Sequence, residues 1–209
     1  MKLKPVEKII KTLLLSTSLI TFMGCASFKE KYSVDKNIGL TKNNIQLINK
    51  NFAITASKEV RKYQDYNLEI IENDTVFNLF ARLKIIDTTF RKEIAKYRNN
   101  YVVNLRVKEK NTLVCSLIKN TKIVDSTSLR YKLKNGYLYI KNSNVTINDI
   151  PLIYGGFEID RLRLGINKNG DLITDSSHYF IATAMIVLGD DRKFYSSSLY
   201  KQIIKPTSD

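Results

Sequence analysis

From Tyr101 onward, apolar residues return at every second position. Val103, Leu105 and Val107 alternate with polar neighbours, and Leu129, Tyr131 and Leu133 do the same. A period of two sends one row of side chains to a buried face and the other to solvent, which is the signature of a β-strand. Asn135-Gly136 stands between Leu129–Leu133 and Tyr137–Ile140 and predicts a two-residue hairpin, because both residue types accept positive φ. Asn169-Gly170, between Leu162-x-Leu164-x-Ile166 and Leu172-Ile173, predicts a second two-residue hairpin. Tyr179–Leu188 is a nearly continuous apolar run of strand length, as expected where both faces are covered. Gly155-Gly156 and Gly189-Asp190-Asp191 read as turns, and Pro151 as an edge or a strand end. Phe194-Tyr195 begins a last strand, and Ile203-Ile204 closes the domain.

The first half of the chain follows other rhythms. A first strand is expected within Leu47–Thr55, a polar loop over residues 57–67, and a short strand or helix lead-in at Leu68–Ile71. Asn73-Asp74 is a helix N-cap pair. Behind it Val76, Phe77, Phe80, Leu83 and Ile86, then Phe90, Ile94 and Tyr97, recur at helical spacing. Residues 74–98 therefore predict one or two amphipathic helices whose apolar stripes cover the core. The fold class is mainly β. It is an antiparallel up-and-down meander of about eight strands, able to close into a lipocalin-like barrel. An open sheet backed by the helices is the competing architecture.

The N-terminus has a pattern of its own. Met1–Lys11 is basic, Thr12–Met23 is apolar, and Gly24-Cys25 ends the run. This is the layout of an export signal. The apolar run falls short of the ~20 residues a spanning helix needs. Gly24-Cys25-Ala26 would also serve as an ordinary small-x-small cleavage site. Phe22-Met-Gly-Cys25 resembles a bacterial lipobox, with Phe22 and Met23 where that motif prefers Leu and a small residue. The resemblance implies that Cys25 is acylated, becomes the mature N-terminus and holds the protein on a membrane. Two further stretches, Leu133–Ile140 and Phe157–Leu172, are similar to small, uncharacterised envelope lipoproteins of Bacteroidetes-type bacteria. That likeness implies a place, the cell envelope, anchored and facing the periplasm from the outer membrane. It carries no activity across. The expected organisation is a signal peptide over 1–24, a lipidated N-terminus and flexible tether over 25–42, a single β-rich domain over 43–205, and a tail over 206–209.

Charge changes the picture little. The 209 residues carry a formal charge of +14. The signal holds four lysines and one glutamate, so the mature chain keeps +11. Its basic residues are spread out, which favours solubility over a binding patch, and export argues against nucleic acid. The two cysteines are Cys25 and Cys115. If Cys25 is acylated, Cys115 stands alone in an apolar strand as a buried small hydrophobe.

Candidate chemistry is sparse. No phosphate-binding loop, zinc-protease helix, nucleophile elbow or paired-cysteine motif occurs. The single histidine, His178, lies in Asp175-Ser-Ser-His178 and reads as a polar turn residue, since a triad draws its members from separate elements. Asn167-x-Asn169-Gly170-Asp171 lacks the spaced acids and closing glutamate of a calcium loop. Glu158, Asp160 and Asp175 are carboxylates that no motif singles out. Glu158 and Asp160 share one strand face, Arg161 and Arg163 the other, and Tyr137 and Tyr139 share a face. No catalytic residue, cofactor or metal is expected. The expected function is a non-enzymatic, membrane-anchored envelope lipoprotein that binds a lipid or other hydrophobic ligand. The alternative is a structural or assembly partner of another envelope protein, with an envelope hydrolase as a third reading.

Overall fold

A computed structural model describes residues 28, 32–63, 68–72, 78–84, 86, 88–141, 145–150, 154–184 and 188–204. The signal segment, Cys25, the Asn73-Asp74 cap, Val76, Phe77 and Pro151 lie outside the described residues. Among those described, the chain is mainly β. Its strands are β1 (Asn51–Ala53), β2 (Lys58–Tyr63), β3 (Glu69–Glu72), β4 (Tyr101–Lys108), β5 (Thr112–Lys119), β6 (Lys122–Lys134), β7 (Tyr137–Ile140), β8 (Val145–Ile150), β9 (Tyr154–Ile166), β10 (Leu172–Ala184) and β11 (Leu188–Tyr200). Two short helices, α1 (Leu79–Leu83) and α2 (Thr88–Lys96), precede β4.

Ten strands follow one antiparallel path, β1-β4-β5-β6-β7-β9-β10-β11-β2-β3, and β8 pairs off it with β9. The path is a meander whose two ends come from the N-terminal third of the chain. It does not close into a barrel, so the lipocalin-like expectation is corrected. It does curl: Phe52 bridges Gln202. The Ala53 N–H donates to the Lys201 carbonyl, and Ile203 N–H to that of Asn51, at 2.8 Å each. So β1 rests on the chain running on from β11, without forming a ladder. The bend has a cause in β6 and β9. Each is thirteen residues long and changes neighbour midway. The first part of β6 pairs with β5 and its end with β7, while β9 pairs first with β8 and then with β7.

The inner face holds the core. Phe52, Leu79, Phe80, Ile94, Val103, Leu105, Leu113, Cys115, Leu117, Leu138, Leu164 and Tyr200 are all buried in one cluster. Cys115 is a free, buried thiol, as its apolar setting predicted, and burial pushes its pKa up. The outer face of β9–β11 is covered by residues 32–40, which were expected within a flexible tether. They are docked: Val34 N–H donates to Ser197 Oγ at 2.9 Å, Ile38 N–H to the Ile166 carbonyl at 2.9 Å, and Leu40 N–H to that of Gly136 at 2.8 Å. Among the described residues no helix is long and apolar enough to cross a membrane.

Several local expectations change. The first strand does lie within Leu47–Thr55, as β1 (Asn51–Ala53), preceded by a 3-10 turn over Ile45–Ile48. The expected loop over 57–67 contains β2. Gly155-Gly156 lies inside β9 and Gly189-Asp190-Asp191 inside β11, so neither is a turn. The run Tyr179–Leu188 spans the end of β10 and the start of β11. The Asn135-Gly136 hairpin has two residues, both at positive φ (50° and 77°). The other hairpin has three, Lys168–Gly170, closed by the Asn167 N–H donating to the Asp171 carbonyl at 3.0 Å. Gly170 takes the left-handed position (φ 81°) that ends such a loop.

Candidate functional site

Strand β2 is the element that builds the interior of the polar half. Strand alternation turns Glu59 and Arg61 inward, and register places Glu59 opposite Ser198 of β11. Glu59 is 0% exposed. A carboxylate taken wholly out of water needs compensation on each oxygen. Oε1 accepts from Arg61 Nε at 2.7 Å, and Oε2 accepts from Arg82 Nη2 at 2.9 Å and Ser198 Oγ at 2.8 Å. Arg82 comes from α1 and also donates to Ser196 Oγ at 3.1 Å. One helix and two strands are thereby tied to a single buried acid. Tyr200, fully buried beside this group, has its phenol pKa raised by burial.

The opposite face of the sheet, at β9 and β10, carries a second buried pair. Arg163 Nε donates to Asp175 Oδ2 at 2.7 Å, and Ser197 Oγ donates to Asp175 Oδ1 at 2.6 Å. The Arg163 guanidinium lies 3.9 Å from the Tyr137 ring centroid and 4.5 Å from that of Phe28. Ser197 also accepts the Val34 N–H, so this pair pins the docked N-terminal segment. Arg163 and Asp175 are thus structural, and Arg161 and Arg163 do not form a joint anion site.

Between α1 and the inner face of β9–β11 lies an open cleft of about 580 Å³. Leu83, Ile140, Leu162 and Phe194 give it an apolar side, and Arg82, Arg91, Arg161, Ser176 and Ser196 a polar one. Asn78, at 7% exposure, also lines it. Asn78 caps α1 by accepting the Ala81 N–H at 2.9 Å, while its Nδ2 has no hydrogen-bond partner.

At the mouth of the cleft, strand register gathers residues that sequence spacing kept apart. His178 sits mid-strand in β10, not in a turn, directly opposite Asp160 of β9. Its Nδ1 lies 2.7 Å from Asp160 Oδ1 and 3.5 Å from Glu158 Oε1. Among the described residues these three alone bring His, Cys, Asp or Glu ligand atoms within 4.8 Å of one another in a group of three or more. Asp175, considered with them as an acid, faces the other way. The signal available in sequence was the i, i+2 placement of Glu158 and Asp160; the β9–β10 register supplied the histidine.

Comparison with protein-family models, with curated proteins and with solved structures finds no match to this chain.

Proposed function

We propose that this protein is a non-enzymatic cell-envelope lipoprotein, anchored through acylated Cys25, whose domain binds a small amphipathic ligand. The observation that carries the binding reading is the cleft of about 580 Å³ beside α1, in the size range of small-molecule sites. Its walls refine the ligand. Leu83, Ile140, Leu162 and Phe194 suit an apolar body, and Arg82, Arg91 and Arg161 suit an acidic group at its end. The apolar interior that a plain lipid carrier needs is instead occupied by packed side chains from Phe52 to Leu164. A non-enzymatic role is supported by Cys115, whose thiol is held in the core with its pKa raised by burial.

The ligand reading is tested on residues 26–209, purified without detergent and extracted for mass spectrometry. A reproducible acidic amphiphile, lost in Arg82→Leu or Phe194→Ala, is the expected result; an empty protein overturns it. The anchor reading is tested by Cys25→Ser, which should release the protein from washed membranes. A second reading, docking of a partner protein, is favoured by β3. It is the last strand of the sheet path, and Ile70 on it is 56% exposed. Among the described residues no strand lies beyond it, and an edge of this kind accepts an added strand.

A further inference from the structure

We propose that Glu158, Asp160 and His178 form a site for one first-row divalent metal ion at the mouth of the cleft. Glu158 and Asp160 are two apart on β9 and so project from one face. The partner of Asp160 across the ladder is His178, and the partner of Glu158 is Phe180. The imidazole is therefore adjacent to one carboxylate and diagonal to the other. All three are carried by paired strands, the kind of support that fixes ligand geometry.

The two separations from the imidazole fit an ion. Metal bonds of about 2.1 Å place neighbouring ligand atoms roughly 3.0–3.4 Å apart in octahedral or tetrahedral shells. The His178 Nδ1 separations of 2.7 Å and 3.5 Å bracket that span. Shifts of a few tenths of an ångström, within reach of half-exposed side chains, would bring both to it. The donor set selects the class of ion. Two carboxylates and a neutral imidazole offer two negative charges and one nitrogen, which suits Zn²⁺-type ions better than Ca²⁺ or Mg²⁺. Three protein ligands leave at least one coordination position open, unlike a closed structural zinc site.

Two of the three ligands also border the cleft. Asp160 and His178 line the cleft together with Asn78, whose buried Nδ2 has no acceptor. Leaving such a donor unmatched costs about 1–3 kcal/mol. An anionic ligand that completes the metal shell would reach into the space Asn78 and Arg82 border. This last step rests on the ligand-binding reading; the metal site does not.

The test uses the full chain, purified in mild detergent, stripped with EDTA and titrated with Zn²⁺ alone by calorimetry. Co²⁺ serves as the visible-absorbance probe. One saturating equivalent is expected, with Co²⁺ bands that Zn²⁺ abolishes. Asp160→Asn and His178→Ala should each weaken Zn²⁺ binding by at least about tenfold, while circular dichroism and the melting curve stay those of the parent. Glu93→Gln, in an ion pair with Lys119 elsewhere, should bind as the parent does. Absence of a saturable equivalent, or unchanged affinity in the Asp160→Asn/His178→Ala double variant, overturns the site. The two readings fail separately. Metal binding in a protein that yields no small molecule removes the ligand reading alone, and a bound amphiphile without metal binding removes the metal site alone.

Discussion

The two halves of the sheet are held by different physics. Around β4, β5 and the first part of β6, the buried residues are Val103, Leu105, Leu113, Cys115, Leu117 and Leu129, covered by Leu79, Phe80 and Ile94 of the helices. Their attraction is non-directional and scales with area. Across β2, β10 and β11 buried apolar residues such as Val60, Leu172, Ile173 and Leu199 are interleaved with a buried polar set: Glu59, Thr174, Asp175, Ser177, Ser196, Ser197 and Ser198. Glu59, Asp175, Ser196, Ser197 and Ser198 are each held by a partner at a set distance and angle. The first half should tolerate any residue of similar volume. The second should fail when one member of a pair is removed, yet recover when both become apolar. The cleft lies along the second half. A wall already organised by directional bonds is the better place to hold a ligand's polar end, whereas a well-filled core offers only volume.

The comparison can be broken at Glu59. Glu59→Gln leaves Arg82 buried without a countercharge and should cost about 3–5 kcal/mol, read from the urea midpoint. Glu59→Met with Arg82→Met should regain most of that loss; no recovery would mean that the polar half depends on its ions for stability itself. In the apolar half, Leu117→Ala should cost about 2–5 kcal/mol and Leu117→Met under about 1.5. A Met variant as damaging as Ala would erase the contrast.

A smaller effect is expected where the docked N-terminal segment meets the sheet. Gly136 has φ of 77°, and a Cβ there would lie 2.8 Å from the Cα of Gly39. Gly136→Ala should cost about 1–3 kcal/mol and expose residues 32–40 to protease. The smallest effect is acidic. Burial alone would raise the Asp171 carboxyl. The Gln202 N–H, Lys201 ammonium and Asn167 amide outweigh it and hold its pKa below the ordinary value. A depressed carboxyl stabilises the fold above its unfolded pKa of about 3.9 and loses that contribution as pH falls through the folded value. Asp171→Asn should flatten the stability curve below about pH 4; an unchanged curve would show that Asp171 contributes nothing.

The apolar half was largely legible in sequence because alternation reports it directly: Val103, Leu105, Leu129 and Tyr131 are buried as their period requires. The polar half was not. Lys58–Tyr63 reads as polar loop, since Glu59 and Arg61 point inward and satisfy each other, reversing the usual link between polarity and exposure. Ser196–Ser198 has no apolar alternation, yet all three serines are buried within β11. Glycine pairs misled in β9, where the backbone stays extended through Gly155 and Gly156. The Glu158–Asp160–His178 group was half visible. Its acids follow from spacing, but its histidine depends on a register that no local pattern states.

The pairing of β2 with β11 also sets a timetable. Glu59 meets Ser198 across 139 residues, and Val34 meets Ser197 across 163. Contacts this distant form late, since closing so long a loop precedes any return from it. While the chain is being made from its N-terminus, β1 can meet β4 and β2 can meet β3, but the other edge of β2 and Val34 wait for residues 194–199. Closure of this edge of the sheet is therefore deferred until β11 is made. Under the proposed export this timing is useful: a sheet whose polar edge closes last is easier to thread through a narrow secretion channel, and it completes itself on the far side.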